Sequence, residues 1–530
     1  MVPTSLFETK HTLNLFHTMS GLKINFAKSH LFGLGPLTSK TPNYFSYLGF
    51  SICNDSITYL GITFTHHHDD FFRLNYLPKL SRLKKLLLSW SSRDLTPIGR
   101  IHIIKSFAIS QIVYLLSVLP NPPDTFFNDL NSLFFKFIWG NKTEKIKREV
   151  LCGEKQHGGL NMINIKCFSD GLKCKWVNLY LDNSERNWKA IFDDELIKYG
   201  STFLFHCNFS KGDVIVPNLF IQNICDAWAT YSFHPPDEDV YYNQCVLNNH
   251  FIKIDNKLYY NKYLKRNNAF RVYNFINEHG TPISYNDFVN VFNINMPFTI
   301  YLGIIHAIPT AWKRPYYHHT DVTSNNQNLI SFLSSTRPSK LVYSSLSKSN
   351  IILPKSINKW ENSNILISTN WSSIFMLPFR TTKYSKIQYF QFRILHRIIG
   401  LNNLLFKMKL VNSPLCCFCN HETETIEHFF CKCHVVKKFW QDCVSLISIH
   451  DFNFNDDGII FGYFDIKSYP INLFLLHAKH YIYSCKQNNT RPNVRSFQHK
   501  FAFIVKVESF ILKDKHHDRY NALQNAFVLP

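Results

Sequence analysis

The feature that most constrains the fold of this chain is a short run of cysteines and histidines in its last quarter. Cys416 and Cys419 form a C-x₂-C pair, His428 follows after eight residues, and Cys433 follows after four more. Four soft nitrogen and sulfur ligands in this order suit a tetrahedral Zn²⁺ ion. Such a site leaves no open position for water and contributes folding free energy to a segment too short for its own core. The spacing therefore predicts a structural zinc site.

Neighbouring residues leave the choice of ligands open. Cys417 or Cys431 could replace an adjacent cysteine, and His421 or His434 could replace His428. The sequence predicts the set Cys416, Cys419, His428 and Cys433, with the fourth ligand the least determined.

The alternative without a metal is a cluster of reduced, partly buried thiols. Pro414 before the first cysteine and the apolar pair Phe429–Phe430 after His428 favour the metal. They supply a turn and then a short buried segment that carries Cys433 back towards the first pair.

The composition is that of a globular protein with a basic charge. Of 530 residues, 45% are hydrophobic and 16% aromatic, and the formal net charge is +21. A chain of this length is sufficient for several domains. Because Lys and Arg are spread along the chain, the charge favours a polyanionic partner, nucleic acid first and an anionic membrane surface second.

The cysteines and the amino terminus indicate a reducing compartment. The 14 cysteines are scattered without the paired-spacing framework of a disulfide-rich protein, and the first residues lack the pattern of a signal peptide. No apolar run reaches the roughly 18 residues that a membrane span needs. We expect an intracellular protein, nuclear or cytoplasmic, that is not secreted and does not cross a membrane.

The first third of the sequence predicts a small sheet followed by helices. Residues 1–20 have near-helical apolar spacing, and Leu22, Ile24 and Phe26 alternate as in a strand. Two further strands are predicted at Tyr47–Phe50 and Tyr59–Thr65.

Three basic helices are predicted next. They cover Leu77–Trp90, a stretch from Thr96 and Pro97 to about Tyr114, and Phe127–Trp139. Thr96 as N-cap with Pro97 at the first helical position is a strong start signal. The Ser- and Asn-rich span 322–350 predicts a loop, 383–400 a helix, and the tail after Trp440 is predicted to be helical. The fold class predicted is α+β, mainly α, with a small antiparallel sheet, several helical parts and a small segment held by zinc.

Several motifs, taken in order, resemble the region downstream of the catalytic hairpin in reverse transcriptases of LINE-type, non-LTR retrotransposons. The block from Lys386 to the cysteines and Phe439–Trp440 is similar to the zinc-binding segment near the end of the same polyproteins. The upstream motifs are SGLKINFAKS, Tyr59-Leu60-Gly61-Ile62, Ile98-Gly99-Arg100-Ile101 with Lys105, Phe137-Ile138-Trp139 and Gly158-Gly159-Leu160.

The resemblance implies nucleic-acid-binding roles for the upstream motifs. Tyr59, Leu60 and Gly61 would belong to the primer-grip element of the palm, and Arg100 and Lys105 to a thumb helix that follows the template–primer backbone. A glycine turn allows a close approach to a sugar-phosphate, and helix-borne cations neutralise phosphates without reading sequence. The alternative is ordinary strand core and a solvated helix face.

The predicted helix 383–400 also has a basic face. Lys386, Tyr389, Arg393, His396 and Arg397 fall on one side of it. A basic face that contains an aromatic ring beside a zinc site is typical of a groove for structured RNA or a single strand. The alternative is a solvated face.

The resemblance also implies a division of the chain into five parts. These are a palm remnant with the primer-grip-like strand at 1–68, a helical thumb at 69–185, a mainly helical connector at 186–380, a zinc-binding segment at 381–445 and a helical tail at 446–530.

The carboxylates that hold paired Mg²⁺ in such polymerases lie upstream of the SGLKINFAKS-type segment in the family. Only nineteen residues precede Ser20 here, and none is Asp. The pairs Asp69–Asp70, Asp193–Asp194 and Asp456–Asp457 come after the primer-grip-like strand and lack the context of a hairpin tip. We therefore predict no catalytic residues, and Mg²⁺ only in the intact relative.

The expected function is that of an amino-terminally truncated reverse transcriptase (RNA-directed DNA polymerase) fragment. It would bind RNA and DNA through phosphates, be inactive as a polymerase alone, and lack its amino-terminal polymerase partner region. The alternative is a host-retained, zinc-containing RNA- or DNA-binding module.

Overall fold

The computed structural model divides the chain into two compact units. The first unit comprises residues 1–90 and 107–130, and the second comprises 91–106 and 131–530. The structure describes residues 3–33, 50–53, 55–235, 241–316, 327–349, 351–362, 370–448, 453–465, 468–513 and 516–528. The described residues are mainly helical with small sheets, as predicted.

The sheets have two strands each. β1 (His30–Phe32) and β2 (Ser51–Cys53) pair in parallel, whereas β3 (Ser56–Tyr59) with β4 (Ile62–Thr65), and β5 (Lys253–Ile254) with β6 (Lys257–Leu258), pair antiparallel. The expected sheet was antiparallel throughout, so β1–β2 departs from the prediction.

The strand predicted over Leu22–Phe26 is wrong. Asn25 instead caps a 3₁₀ turn at Phe26–Lys28, because its side chain accepts a hydrogen bond from Lys28 N. Of the strand predicted at Tyr47–Phe50, residues 47–49 lie outside the described residues, and Phe50 belongs to no strand.

The strand predicted at Tyr59–Thr65 is a hairpin turn followed by β4. Leu60 and Gly61 have φ of 49° and 78°, as a two-residue hairpin turn requires. Asn75 of the following helix bonds both the N–H and the C=O of Thr63 at 2.8 Å, which attaches the hairpin to that helix.

Five helices follow the predicted order through residue 139. They are α1 (Pro3–Ser20), α2 (His68–Ser91), α3 (Pro97–Ile103), α4 (Ile109–Val118) and α5 (Asp124–Trp139), with a π-helical turn at Ile104–Ala108 between α3 and α4. α2 begins nine residues before the predicted start, and α3 begins as predicted, because Thr96 Oγ1 accepts from Gly99 N.

The core of the first unit forms where α2 meets α4 and the start of α5. Tyr76 is buried, donates to Pro120 O at 2.9 Å and lies 5.3 Å from the ring of Phe126. Leu83 of α2 and Leu116 of α4 are fully buried.

The second unit contains three large hydrophobic cores among its described residues, and α6 (Arg148–Cys152) precedes them in the chain. The first core is built by α7 (Ile165–Leu181), α8 (Trp188–Leu196), α9 (Leu219–Ser232), α13 (Gln327–Ser334) and α14 (Pro338–Ser349), and the second by α10 (Lys262–Arg266), α11 (Tyr285–Phe292) and α12 (Phe298–Ala307). The loop predicted over 322–350 is wrong for 327–349. Leu329, Phe332, Val342 and Leu346 are buried at helical spacing.

The third core extends from Ile357 to Phe527 and includes the cysteine stretch. Its helices are α15 (Ser356–Glu361), α16 (Trp371–Thr381), α17 (Ser385–Leu395), α19 (His434–Val444), α20 (Asp456–Phe461), α21 (Tyr469–Gln487), α22 (Val494–Lys513) and α23 (His517–Asn525). The short helix α18 (Asn402–Lys407), between α17 and α19, contributes no buried residue. Side chains of the predicted zinc segment and of the predicted tail thus pack in one core.

One helical stretch of the described residues, Pro97–Val118, is long and apolar enough to cross a membrane by length and composition. This differs from the expectation that no run of that length exists. Core helices pass the same test, and Ile101, Ile112 and Leu116 in this stretch are buried. The stretch is therefore weak evidence for a membrane span.

Candidate metal centre

The first half of the cysteine stretch folds into a tight knuckle. Leu415 and Thr423 form an antiparallel bridge, Cys416 N donates to Glu422 O at 2.8 Å, and Asn420 N donates to Cys416 O at 2.8 Å. Asn420 has φ of 59°, a conformation that Asn tolerates better than most residues. These bonds place Cys416 and Cys419 on one side of the knuckle.

The second half brings the remaining two ligands to the same point. His428 begins a π-helical turn that ends at Lys432, and Cys433 is the N-cap of α19. Phe429 and Phe430 are fully buried between them, as the sequence predicted. Burying this pair fixes the rotation of the turn and points His428 and Cys433 towards the knuckle.

The four predicted ligands converge. Sγ of Cys416 lies 3.9 Å from Sγ of Cys433, Sγ of Cys419 lies 3.4 Å from Nε2 of His428, and all four ligand atoms lie within 4.8 Å of one another. Zn–S bonds of about 2.3 Å and a Zn–N bond of about 2.0 Å would separate tetrahedral ligand atoms by about 3.5–3.8 Å. The residues therefore fit a structural Zn²⁺ ion, and all four are buried.

None of the alternative ligands belongs to the converging group, although the thiol of Cys417 hydrogen-bonds that of Cys416. Cys417, His421 and His434 are exposed, and the buried Cys431 directs its thiol to Asp456 O at 3.7 Å. Within the described part of the chain, no other group of three or more His, Cys, Asp or Glu ligand atoms converges in this way.

Local hydrogen bonds favour a thiolate at the centre. The thiols of Cys417 and Cys433, and then the backbone N–H groups of Cys419 and Phe418, hold the pKa of Cys416 well below its usual range. The hydrogen bond to Cys416, and then burial, raise the pKa of Cys433 against the backbone N–H groups at the start of α19. Zinc binding requires deprotonated cysteines, so these donors prepare Cys416, whereas Cys433 would release its proton when the metal binds.

Glu422 orients the histidine ligand. Its Oε2 lies 2.9 Å from Nδ1 of His428, which leaves Nε2 to face the cysteines. A carboxylate on the far nitrogen of a metal-binding histidine fixes the ring and its tautomer. The spacing of the four ligands did not predict this role of Glu422.

A buried carboxylate connects the knuckle to α21. Glu424 is 0% exposed and accepts from Lys486 Nζ at 2.6 Å, Asn402 N at 2.7 Å and Cys417 N at 2.9 Å. Apart from Cys417, the partners of Glu424 are at least 22 residues away in the sequence. The sequence therefore gave no indication of this buried carboxylate.

Two cations predicted to bind nucleic acid make contacts within the protein. Arg397 pairs with Glu427 at 2.7 Å and lies 4.1 Å from the ring centroid of Trp360. Arg393 is half-buried and lies over the rings of Tyr389 and Tyr483, 5.5 Å from each centroid.

The two other predicted residues of this helix are separated from them. His396 is buried, with Nε2 2.9 Å from Gly158 O, and Lys386 is exposed and pairs with Asp94 at 2.9 Å. α17 ends at Leu395, and Arg397 has φ of 56°, so the last two residues do not continue the helical face. The predicted continuous basic face is therefore not present, and a nucleic-acid role for each residue stays a prediction.

The upstream predicted residues have different surroundings. Arg100 donates to Phe137 O at 2.6 Å and to Leu95 O at 3.2 Å, which satisfies a carbonyl in the last turn of α5. Lys105 is half-buried in the π-helical turn. Tyr59 and Leu60 are 64% and 71% exposed at the hairpin tip beside Gly61.

The Asp pairs are distributed over three helices. Asp70 is in the first turn of α2 and pairs with Arg73, Asp193 in α8 accepts from the hydroxyl of Tyr180, and Asp456 and Asp457 form the first turn of α20 behind the N-cap Asn455.

A basic surface on α19 was not predicted. Lys432 before the helix and Lys437 and Lys438 within it are exposed, and the described residues include no ion-pair partner for them. The adjacent lysines in the sequence HVVKKFW could have predicted this basic surface. They lie on the element that Cys433 begins.

These features define a buried Cys₃His zinc site that joins a knuckle to a helix. A family model described as zinc-binding in reverse transcriptase matches residues 357–440. The match contains all four ligands, and its first residue is the first buried residue of the third core. This segment is therefore similar to the zinc-binding regions associated with reverse transcriptases, and the zinc is structural.

Proposed function

We propose that the chain is the region downstream of the catalytic hairpin in a LINE-type, non-LTR reverse transcriptase, and that it binds RNA or DNA through phosphates. The observation that carries the proposal is the buried Cys₃His site inside a segment similar to reverse-transcriptase zinc-binding regions. The net charge of +21 supports a polyanionic partner.

The roles of palm remnant for 1–68 and thumb for 69–185 belong to this proposal. The exposed hairpin tip at Tyr59, Leu60 and Gly61 supports contact with a strand, because a ring there has a free face for a base. Arg100 donates to backbone carbonyls of the proposed thumb segment, and its contact with a phosphate stays a prediction.

We assign the phosphate contacts beside the zinc to Lys432, Lys437 and Lys438. These side chains are exposed, whereas Arg393, His396 and Arg397 bind rings, a carbonyl or a carboxylate of the protein. Zinc would hold the start of α19 in place, and thereby position the lysines.

The test is binding of a single-stranded RNA to the purified chain across a salt series, with zinc content measured on the same sample. The slope of log K against log salt is negative, and removing one cation that neutralises a phosphate reduces its magnitude by about 0.7 for a single strand. We expect Lys437→Gln with Lys438→Gln to reduce the magnitude of the slope by about 1.4 and to leave zinc content unchanged.

The matched control is Lys500→Gln with Lys506→Gln, which removes the same charge from the exposed side of α22. An equal fall in slope for both pairs would show that binding depends on net charge alone, which contradicts the assignment to α19. Absence of salt-dependent binding by the zinc-loaded chain would contradict the proposed function.

A further inference from the structure

A cavity of about 750 Å³ lies in the second unit, away from the zinc ligands. One wall is a face of α14, with Ser339, Tyr343 and Ser347 at four-residue spacing. The adjacent face of α14 is held in the first core by Val342 and Leu346. The polar face of this helix is therefore fixed towards the cavity by the burial of its apolar face.

The lining has an excess of positive charge. Lys105, Lys155, Lys340 and Lys348 line the cavity, and the one carboxylate among the lining residues, Glu154, accepts a hydrogen bond from Gln156. The described residues contain no ion-pair partner for any of the four lysines. Such an arrangement repels cations and has a strong electrostatic preference for an anion.

Two of these lysines are held close to other cations. Burial, and then the charge of Lys155, lowers the pKa of Lys105, while burial and the charge of Lys383 lower the pKa of Lys155. Lys155 Nζ is also kept 4.1 Å from the ring centroid of Phe379. A bound anion would relieve this repulsion between partly desolvated ammonium groups.

The rest of the lining is apolar and aromatic. Phe168 and Leu172 of α7, Tyr343 of α14 and Met376 of α16 contribute to it, and Phe168 and Tyr343 meet edge to face at 6.3 Å between centroids. The volume is in the range of small-molecule sites and much larger than a phosphate ion requires. A ligand that fills the cavity thus carries an apolar, planar part as well as an anionic one.

Lys105 enters the cavity from an irregular helix. It lies in the π-helical turn Ile104–Ala108, and such single turns are frequent at functional sites.

We propose that this cavity binds a nucleotide, with its phosphate at Lys105 and Lys155 and its base against Phe168 and Tyr343. The same chemistry is offered by a free mononucleotide and by the phosphorylated end of a nucleic-acid strand. The strand-end form rests on the proposed function, and the free-nucleotide form does not.

The test is lysine acetylation of the full chain, read by mass spectrometry, with and without AMP, inorganic phosphate or a 5′-phosphorylated uridine oligonucleotide. We expect a nucleotide ligand to protect Lys105 and Lys155 while Lys500 and Lys506 stay reactive. Protection by AMP identifies a free nucleotide as the ligand. The strand end is identified if the phosphorylated oligonucleotide protects the two lysines while AMP and an unphosphorylated control oligonucleotide do not.

Two outcomes would overturn the proposal. In the first, neither AMP nor the phosphorylated oligonucleotide protects Lys105 and Lys155. In the second, inorganic phosphate protects them as well as AMP does at equal concentration, which would show that the base contributes nothing to binding.

Variants provide the second measurement. Lys105→Gln with Lys155→Gln is expected to weaken binding of the protecting ligand by about tenfold or more, because the phosphate loses its charge-assisted hydrogen bonds. Lys500→Gln with Lys506→Gln should leave this affinity unchanged. Salt-dependent RNA binding without ligand protection of Lys105 and Lys155 would contradict the cavity proposal alone. Protection of these lysines by AMP without salt-dependent RNA binding would contradict the proposed function alone.

Discussion

His396 illustrates how a predicted surface residue becomes part of the core. Its ring lies 4.0 Å from that of Phe392 between centroids, and Nε2 lies 2.9 Å from Gly158 O. The carbonyl can only accept, so the neutral ring donates from Nε2. Burial lowers the pKa of His396 to about 4, against the opposing effect of the hydrogen bond to the Gly158 carbonyl.

This burial predicts a loss of stability in mild acid. Because the unfolded state takes up the proton first, the contribution of neutral His396 is complete above pH 6.5 and is lost as the pH falls towards 4. We expect this residue to account for about 1–2 kcal/mol between pH 7 and pH 5. Urea unfolding of wild type and His396→Gln at both pH values measures it.

The control for the pH prediction is His499→Gln, which replaces an exposed histidine. Its pH dependence should match that of the wild type. A wild-type pH dependence in the His396 variant would show that another group controls acid stability.

Sequence reasoning succeeded at the residue scale where the chemistry is local. The spacing of Cys416, Cys419, His428 and Cys433 predicted the ligand set, because the four lie within one short segment and together complete one tetrahedral site. The partners of His396 and Arg397 were not predictable in this way. Gly158 is 238 residues from His396, and helical periodicity carries no information about such a contact.

At the scale of elements, α21 acts as the support of the zinc knuckle. Lys486 reaches Glu424 and Asn402, and Lys479, 1% exposed, donates to Gln391 Oε1 at 2.7 Å and to Ile460 O at 3.0 Å. Burial lowers the pKa of Lys479 to about 7. Two lysines on one helix thus satisfy polar groups of several other segments.

Lys486→Met is expected to destabilise the second unit. The substitution leaves the carboxylate of Glu424 buried without its cation, at a cost of about 3–5 kcal/mol. Lys386→Met provides a matched change at the exposed pair with Asp94 and should have little effect. Chemical unfolding followed by tryptophan fluorescence would measure both, and equal effects would contradict the role assigned to Glu424.

Element boundaries were predictable where a capping signal was present. Thr96 and Pro97 placed the start of α3 correctly, whereas the alternation of Leu22, Ile24 and Phe26 gave a strand that does not form. A cap is a bond within one turn, but a strand exists only if a partner strand pairs with it. The helices α13 and α14 were missed for a related reason, since their Ser and Asn content masked the buried positions Phe332 and Leu346.

At the scale of the whole molecule, the second unit is organised around separate cores, and the zinc lies in only one of them. The core from Ile357 to Phe527 contains the ligands together with α21, α22 and α23. Phe430 of the zinc segment and Phe474 and Phe501 of the later helices are all fully buried there. Zinc is therefore expected to influence helices far from it in sequence.

Removal of zinc by a chelator should increase amide hydrogen exchange throughout the described parts of 357–527. The reason is that the ligands hold the π-helical turn, and the turn fixes Phe429 and Phe430 in the shared core. Hydrogen exchange with and without chelator would measure the extent. α9, in the first core, is the internal reference, and increased exchange confined to 416–433 would contradict the shared core.

The shared core also has a consequence for how such a sequence can be inherited. Side chains from both sides of residue 445 are packed against one another, so an exchange of genetic material at that point would join two halves that were not selected together. Recombination within 357–527 should be selected against. The zinc ligands and the last three helices are then expected to share one genealogy across lineages.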